Sequence, residues 1–178
     1  NPKNSNSYFN IGLAYYNLMD LKNATIYYKR SIKINNKHFD ALFNLAITYK
    51  ENKNTKQAIN YYQKALKINY DHVFVHFNLG NIYSEQLDFF SAIKHYKCAI
   101  KIDPNFSDTY YNLAATFERI KDFSNSLKYY KLSFQQNSQE IKSLTKIRLL
   151  SKKMRKNDEA IRYFKNLLKR TPNSTDII

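Results

Sequence analysis

Four asparagines recur in one chemical setting: Asn10 in YFNIGLAY, Asn44 in LFNLAITY, Asn78 in HFNLGNIY and Asn112 in YYNLAATF. An amide side chain offers donor and acceptor together, the complement of the N–H and C=O of an extended peptide backbone. A row of such amides could hold a chain without reading its side chains, at about 1 kcal/mol net per hydrogen bond. Asn is a mediocre helix former, so its place in four apolar stretches needs a reason. The competing explanation is an inherited, solvated column in a chain that holds 22 asparagines.

Other chemistry is thin. His72 and His76 have the i,i+4 spacing of metal ligands, but no convincing third ligand follows them. His95 and Cys98 share one face of a helix without the further groups an acyl-transfer site requires. Phosphate-cradling loops need glycines, and the chain has 2. No catalytic residue, metal or cofactor is therefore expected. The single Cys98 excludes an internal disulfide framework and fits a reducing compartment, cytoplasmic or nuclear. No apolar run approaches membrane-spanning length, and no signal peptide is visible.

The elements that must position the amides follow from composition and period. Of 178 residues, 43% are hydrophobic and 16% aromatic, enough for a core. With 2 Gly and 3 Pro, the chain has little means of building many tight turns and reads as mostly helix. The four asparagines are each 34 residues apart. The same period runs through Ala24, Ala58, Ala92, Ser126 and Ala160, and through Tyr28, Tyr62, Tyr96, Tyr130 and Phe164. Five repeats result: 5–38, 39–72, 73–106, 107–140 and 141–174. Within each, positions 4, 7, 8 and 11 form the apolar stripe of a first helix, and positions 20, 24, 27 and 28 that of a second. Asp20, Asn54, Asp88 and Asp122 fall between the two, where they favour turns and helix starts.

This pattern resembles the tetratricopeptide repeat (TPR), and the resemblance covers almost the whole chain. The residues that carry it are aromatic or aliphatic at position 4 (Tyr8, Leu42, His76 in place of an aromatic, Tyr110, Leu144) and aliphatic at position 7 (Ile11, Leu45, Leu79, Leu113, Ile147). Position 8 is small in Gly12, Ala46, Gly80 and Ala114, position 11 aromatic in Tyr15, Tyr49, Tyr83 and Phe117, and position 32 proline in Pro104 and Pro172. The fold implied is all-α, a right-handed α-solenoid of five tandem helix-turn-helix repeats in one array over 1–178. Repeat 5 departs most, with Arg148 and Ser151 at positions 8 and 11, so its first helix is expected to pack less regularly. The first four residues fit the end of a repeat and 175–178 the start of another, as expected for a slice of a longer array or for a worn capping copy.

At about 100° per residue, position 6 lies nearly opposite positions 4, 7 and 11. In TPR arrays that side of the first helix lines the concave groove, which places Asn10, Asn44, Asn78 and Asn112 there as a ladder. The arrangement is similar to the TPR superhelix of O-linked N-acetylglucosamine transferases. Beside the ladder run Phe9, Phe43, Phe77 and Tyr111 at position 5, and Leu13, Ile47, Asn81 and Ala115 at position 9. Such rows suit a protein-binding surface, unless the rings pack between repeats. The family's carboxylate clamp needs cations where repeats 1 to 3 carry Phe, Leu and Asp, so it is not expected.

The net charge is +15, and it is uneven. Repeat 5 has eleven cations against two carboxylates, while repeats 3 and 4 are neutral. Its groove positions carry Lys142, Lys146, Lys152 and Lys153, so a ligand with an acidic end suits this part of the chain. The alternative for any such row is a solvated helix face. The expected function is a protein-interaction scaffold that binds an extended peptide; the alternatives are the substrate-binding arm of a larger enzyme and an RNA or acidic-surface binder. The strict period and aromatic groove argue against nucleic acid. A membrane or a small molecule is not an expected partner.

Overall fold

The computed structural model describes the backbone of residues 4–137, 141–155 and 157–170. It is built from ten helices among those residues: α1 (Ser5–Asn17), α2 (Leu21–Ile34), α3 (Phe39–Glu51), α4 (Thr55–Leu66), α5 (Val73–Glu85), α6 (Phe89–Ile102), α7 (Ser107–Arg119), α8 (Phe123–Gln136), α9 (Ile141–Lys153) and α10 (Asn157–Arg170). The five first helices each span 13 residues and start at the same repeat position. Pro2, Pro172 and residues 175–178 lie outside the described residues, as does the side chain of Ala160.

The chain divides into two compact units, 1–82 and 83–178, with the boundary inside α5. In the first unit, α1 packs on α2, α2 on α3 and α3 on α4. Its core joins Ala24, Tyr28 and Leu45, flanked by Phe9, Tyr15, Tyr49 and Tyr61. In the second unit, α6, α7, α8 and α9 pack in succession. Its core gathers Ala114, Leu127, Tyr130, Phe134, Leu144, Ile147 and Leu150. Repeat 5 therefore contributes a full aliphatic stripe from α9. Arg148 is exposed on that helix, and Ser151 is buried at 2% exposure where the other repeats carry a ring.

The repeated columns have physical reasons. The position-20 residues Ala24, Ala58, Ala92 and Ser126 are fully buried, and Tyr28, Tyr62 and Tyr130 beside them are equally inaccessible. At position 8, a Cβ on Gly12 would meet Cδ1 of Tyr28 at 2.7 Å, so the ring lies against bare backbone. Asp20, Asn54, Asp88 and Asp122 cap the second helices: each side-chain oxygen accepts the backbone N–H three residues on.

One expectation needs correction. Scarce glycine implied few tight turns, yet every repeat makes one. Met19, Lys53, Leu87, Lys121 and Arg155 occupy the left-handed region at φ between 55° and 66°, where glycine is usual. The backbone closure explains why. Met19 N–H donates to the Tyr16 carbonyl and Asp20 N–H to the Tyr15 carbonyl, both at 2.9 Å. The same pair of bonds recurs at Lys53 and Asn54, and at Lys121 and Asp122. This 6→1 and 5→2 closure satisfies the last carbonyls of the first helix and sets the next cap at once.

Candidate functional site

Two of the four repeated asparagines are set by their own helices. Asn44 Nδ2 donates to the Asp40 carbonyl at 2.9 Å, and Asn78 Nδ2 to the Phe74 carbonyl at 2.8 Å. Each bond spans one helical turn and fixes the amide plane. It uses one of two N–H groups, so the amide keeps a second donor. Asn78 Oδ1 accepts from Lys50 Nζ at 2.8 Å. Asn10 is exposed, while Asn44, Asn78 and Asn112 are partly buried.

The position-5 rings are walls rather than free surfaces. Phe9 packs on Tyr28 and His38 at centroid distances of 5.9 and 5.2 Å. Phe43 packs on Phe39, Tyr62 and His72. Tyr111 meets Tyr130 edge-on at 5.2 Å and carries Lys142 Nζ over its face at 4.6 Å. Phe77 and Asn81 are half-buried on α5. Phe9, Phe43 and Tyr111 therefore each pack on the buried tyrosine of their own repeat.

A second register links neighbouring repeats, and sequence reasoning missed it. Position 12 of one first helix reaches position 6 of the next, 28 residues on: Lys50 to Asn78, and Glu118 to Lys146. It also reaches position 13 of the next, 35 residues on: Tyr16 Oη donates to Glu51 Oε1, and Arg119 Nη1 donates to the Ser84 carbonyl at 2.8 Å. Burial and the Glu51 carboxylate raise the Tyr16 phenol above its ordinary value, so it remains the donor. Complementary residue types at offsets of 28 and 35 were the available signal.

The four lysines separate by role. Lys146 Nζ contacts both oxygens of Glu118, at 3.0 and 3.3 Å. Lys142 pairs with Asp108 at 3.6 Å. Lys153 Nζ stands 4.2 Å over the Phe123 ring, and Lys152 is exposed. Around Lys146 lies a cavity of about 500 Å³ lined by Ala115, Glu118, Arg119, Lys121, Phe123, Lys146 and Lys153. Glu118 is held from below by the Tyr130 hydroxyl at 2.9 Å. Burial and that carboxylate raise the Tyr130 phenol, so it donates. Arg119, Lys121, Glu118 and Phe123 were not among the residues singled out in the sequence.

The histidines have structural partners. His76 is buried and its Nε2 donates to the Tyr70 carbonyl at 3.0 Å. His72 lies among Phe39, Phe43 and Phe74, and burial lowers its basicity. His38 Nδ1 accepts from Ala41 N–H and so serves as the cap of α3. Among the described residues no helix is long and apolar enough to cross a membrane.

Helix pairs of this length on a 34-residue period, with a buried small-residue column, define a repeat protein of the tetratricopeptide type. Tetratricopeptide-repeat models match residues 5–38, 39–69 and 73–106, and the chain belongs to that family. Among solved structures it is similar to the MamA protein, at 22% identity over 93% of this chain and 90% of that one, with a TM-score of 0.82. It is also similar to PilF of Pseudomonas aeruginosa, at 22% identity over 90% of this chain and 73% of that one, TM-score 0.76. A third is YrrB, described as a TPR protein with an unusual peptide-binding site, at 12% identity over 99% and 91%, TM-score 0.77. These likenesses establish the fold. No curated protein matches the chain.

Proposed function

We propose that this protein is an interaction scaffold that holds an extended peptide segment along the face of its first helices. The observation that carries the reading is the fixed amide geometry of Asn44 and Asn78. Each is pinned to its own helix at i−4 and retains an N–H that the helix does not use. Neighbouring aromatics add apolar contact: Phe43 is half-buried against Tyr62, and Tyr111 against Tyr130. A peptide-binding site is recorded for YrrB, which shares the fold. The rungs would supply backbone hydrogen bonds, and the rings and their pockets side-chain selectivity.

The test is resonance mapping with a peptide selected from a random display library. The expected result is amide shifts concentrated on α1, α3, α5 and α7, at and beside Asn10, Asn44, Asn78 and Asn112. Shifts confined to the second helices α2, α4 and α8 would overturn the reading.

A further inference from the structure

The cavity in the second unit has a composition that the amide ladder does not explain. Four cations, Arg119, Lys121, Lys146 and Lys153, line it together with one carboxylate, Glu118. The cavity's own residues thus leave three positive charges uncompensated. Two of the cations come from the α7–α8 turn region and two from α9, so the charge is collected from separate elements. Among the described residues neither Lys121 nor Lys153 forms an ion pair. The floor is apolar: Ala115 and Phe123 pack against the core of the unit. We propose that this cavity binds acidic side chains of the peptide, so that the scaffold's ligand carries an Asp- or Glu-containing segment with an apolar neighbour. The inference rests on the peptide-binding reading above.

Three features fix the ligand class. First, the cavity already holds one carboxylate: Lys146 grips both oxygens of Glu118, and the Tyr130 hydroxyl holds Oε2 from the buried side. The site therefore has carboxylate-binding geometry, with Glu118 partly filling it. Second, the cavity, at about 500 Å³, is of the size of ordinary ligand pockets, ~300–1,000 Å³. That is room for a few side chains. Third, a polyanionic nucleic acid meets obstacles. Glu118 repels a continuous phosphate chain, and the Phe123 face on which a base would stack is covered by Lys153. Arg119 is held toward the preceding repeat by its bond to the Ser84 carbonyl and by its place over the Phe89 ring, so Lys121 and Lys153 are the cations left for a ligand carboxylate.

The experiment is a random 12-residue peptide display selection on the whole chain, run in parallel on Lys121→Gln/Lys153→Gln and on Glu118→Gln. Both substitution sets are isosteric or exposed, and matching thermal melts establish that each variant is folded. The expected result is enrichment of Asp and Glu next to an apolar residue with the wild type. The Lys variant loses that enrichment, and Glu118→Gln increases it. For one selected peptide, the Lys variant should bind about 10-fold more weakly at low salt, since two exposed pairs each contribute a factor of up to ~5. A version with Gln for Glu should bind both proteins alike. Selected peptides without acidic bias overturn this inference and leave the peptide-binding reading standing. Failure to select any peptide overturns both. A 12-nucleotide oligouridylate that binds the cavity more tightly than the acidic peptide also overturns the inference, in favour of RNA.

Discussion

The turns between paired helices offer the sharpest stability experiment. Met19 and Leu87 sit at φ 61° and 66°, and they are 71% and 60% exposed. A non-glycine residue in the left-handed region costs about 1–2 kcal/mol. Glycine removes that term but adds about 0.5–1 kcal/mol of unfolded-chain entropy. Met19→Gly with Leu87→Gly should therefore gain about 0.5–1 kcal/mol at each site, since two exposed side chains give up little burial. For a chain of this size 1 kcal/mol moves the melting temperature by about 2–4 °C, so the pair should raise it by roughly 2–8 °C. The assay is thermal unfolding followed by helix ellipticity, with Met19→Ala/Leu87→Ala as the control. Alanine trims the side chain and keeps the Cβ, so it should gain nothing. A glycine pair that melts at or below the wild type, or an alanine pair that gains as much, would refute the strain argument.

Two further outcomes follow from the tyrosine and capping columns. The Tyr62 hydroxyl is buried without a hydrogen-bond partner, whereas that of Tyr130 donates to Glu118. Tyr62→Phe should be neutral or stabilising by about 1 kcal/mol, and Tyr130→Phe destabilising by about 1–2, as read by denaturant unfolding. Cap hydrogen bonds hold the Asp20, Asp88 and Asp122 carboxyls below their ordinary value of 3.8. Their contribution is present above that value and is lost as pH falls through the lower folded-state values, so an acid titration should weaken the second helices below about pH 4. Asn54 caps the same way without titrating; Asn54→Ala should cost about 1 kcal/mol at either pH.

Much of the fold was legible because each repeat restates it. A single Ala24 or Tyr28 signals little; the same residue types every 34 positions leave one packing solution, and the helices start on that period. The turns were not legible, because residue type is a poor guide to a left-handed backbone. Met19 and Lys53 adopt it under tertiary constraint, with a capping Asp or Asn directly after. At the site, the face carrying the asparagines could be read from helical angles. The partners could not: Lys50 reaching Asn78 and Lys146 reaching Glu118 depend on the offset between neighbouring helices. Charge counting found Lys146 and Lys153 as part of a basic row. It could not show that Lys142 is paired with Asp108, or that Arg119 and Lys121 of the neutral repeat 4 complete the cavity.

The central claim is that the first-helix amides hold a peptide backbone. Its most direct test is the affinity of a selected peptide for Asn44→Ala/Asn78→Ala, measured by titration calorimetry beside a thermal melt. Losing two rungs should weaken binding by about 1–3 kcal/mol, because the peptide groups they served are left unpaired. The melt should barely change, since neither residue belongs to the buried core. Unchanged affinity, or a variant that unfolds, would contradict the account.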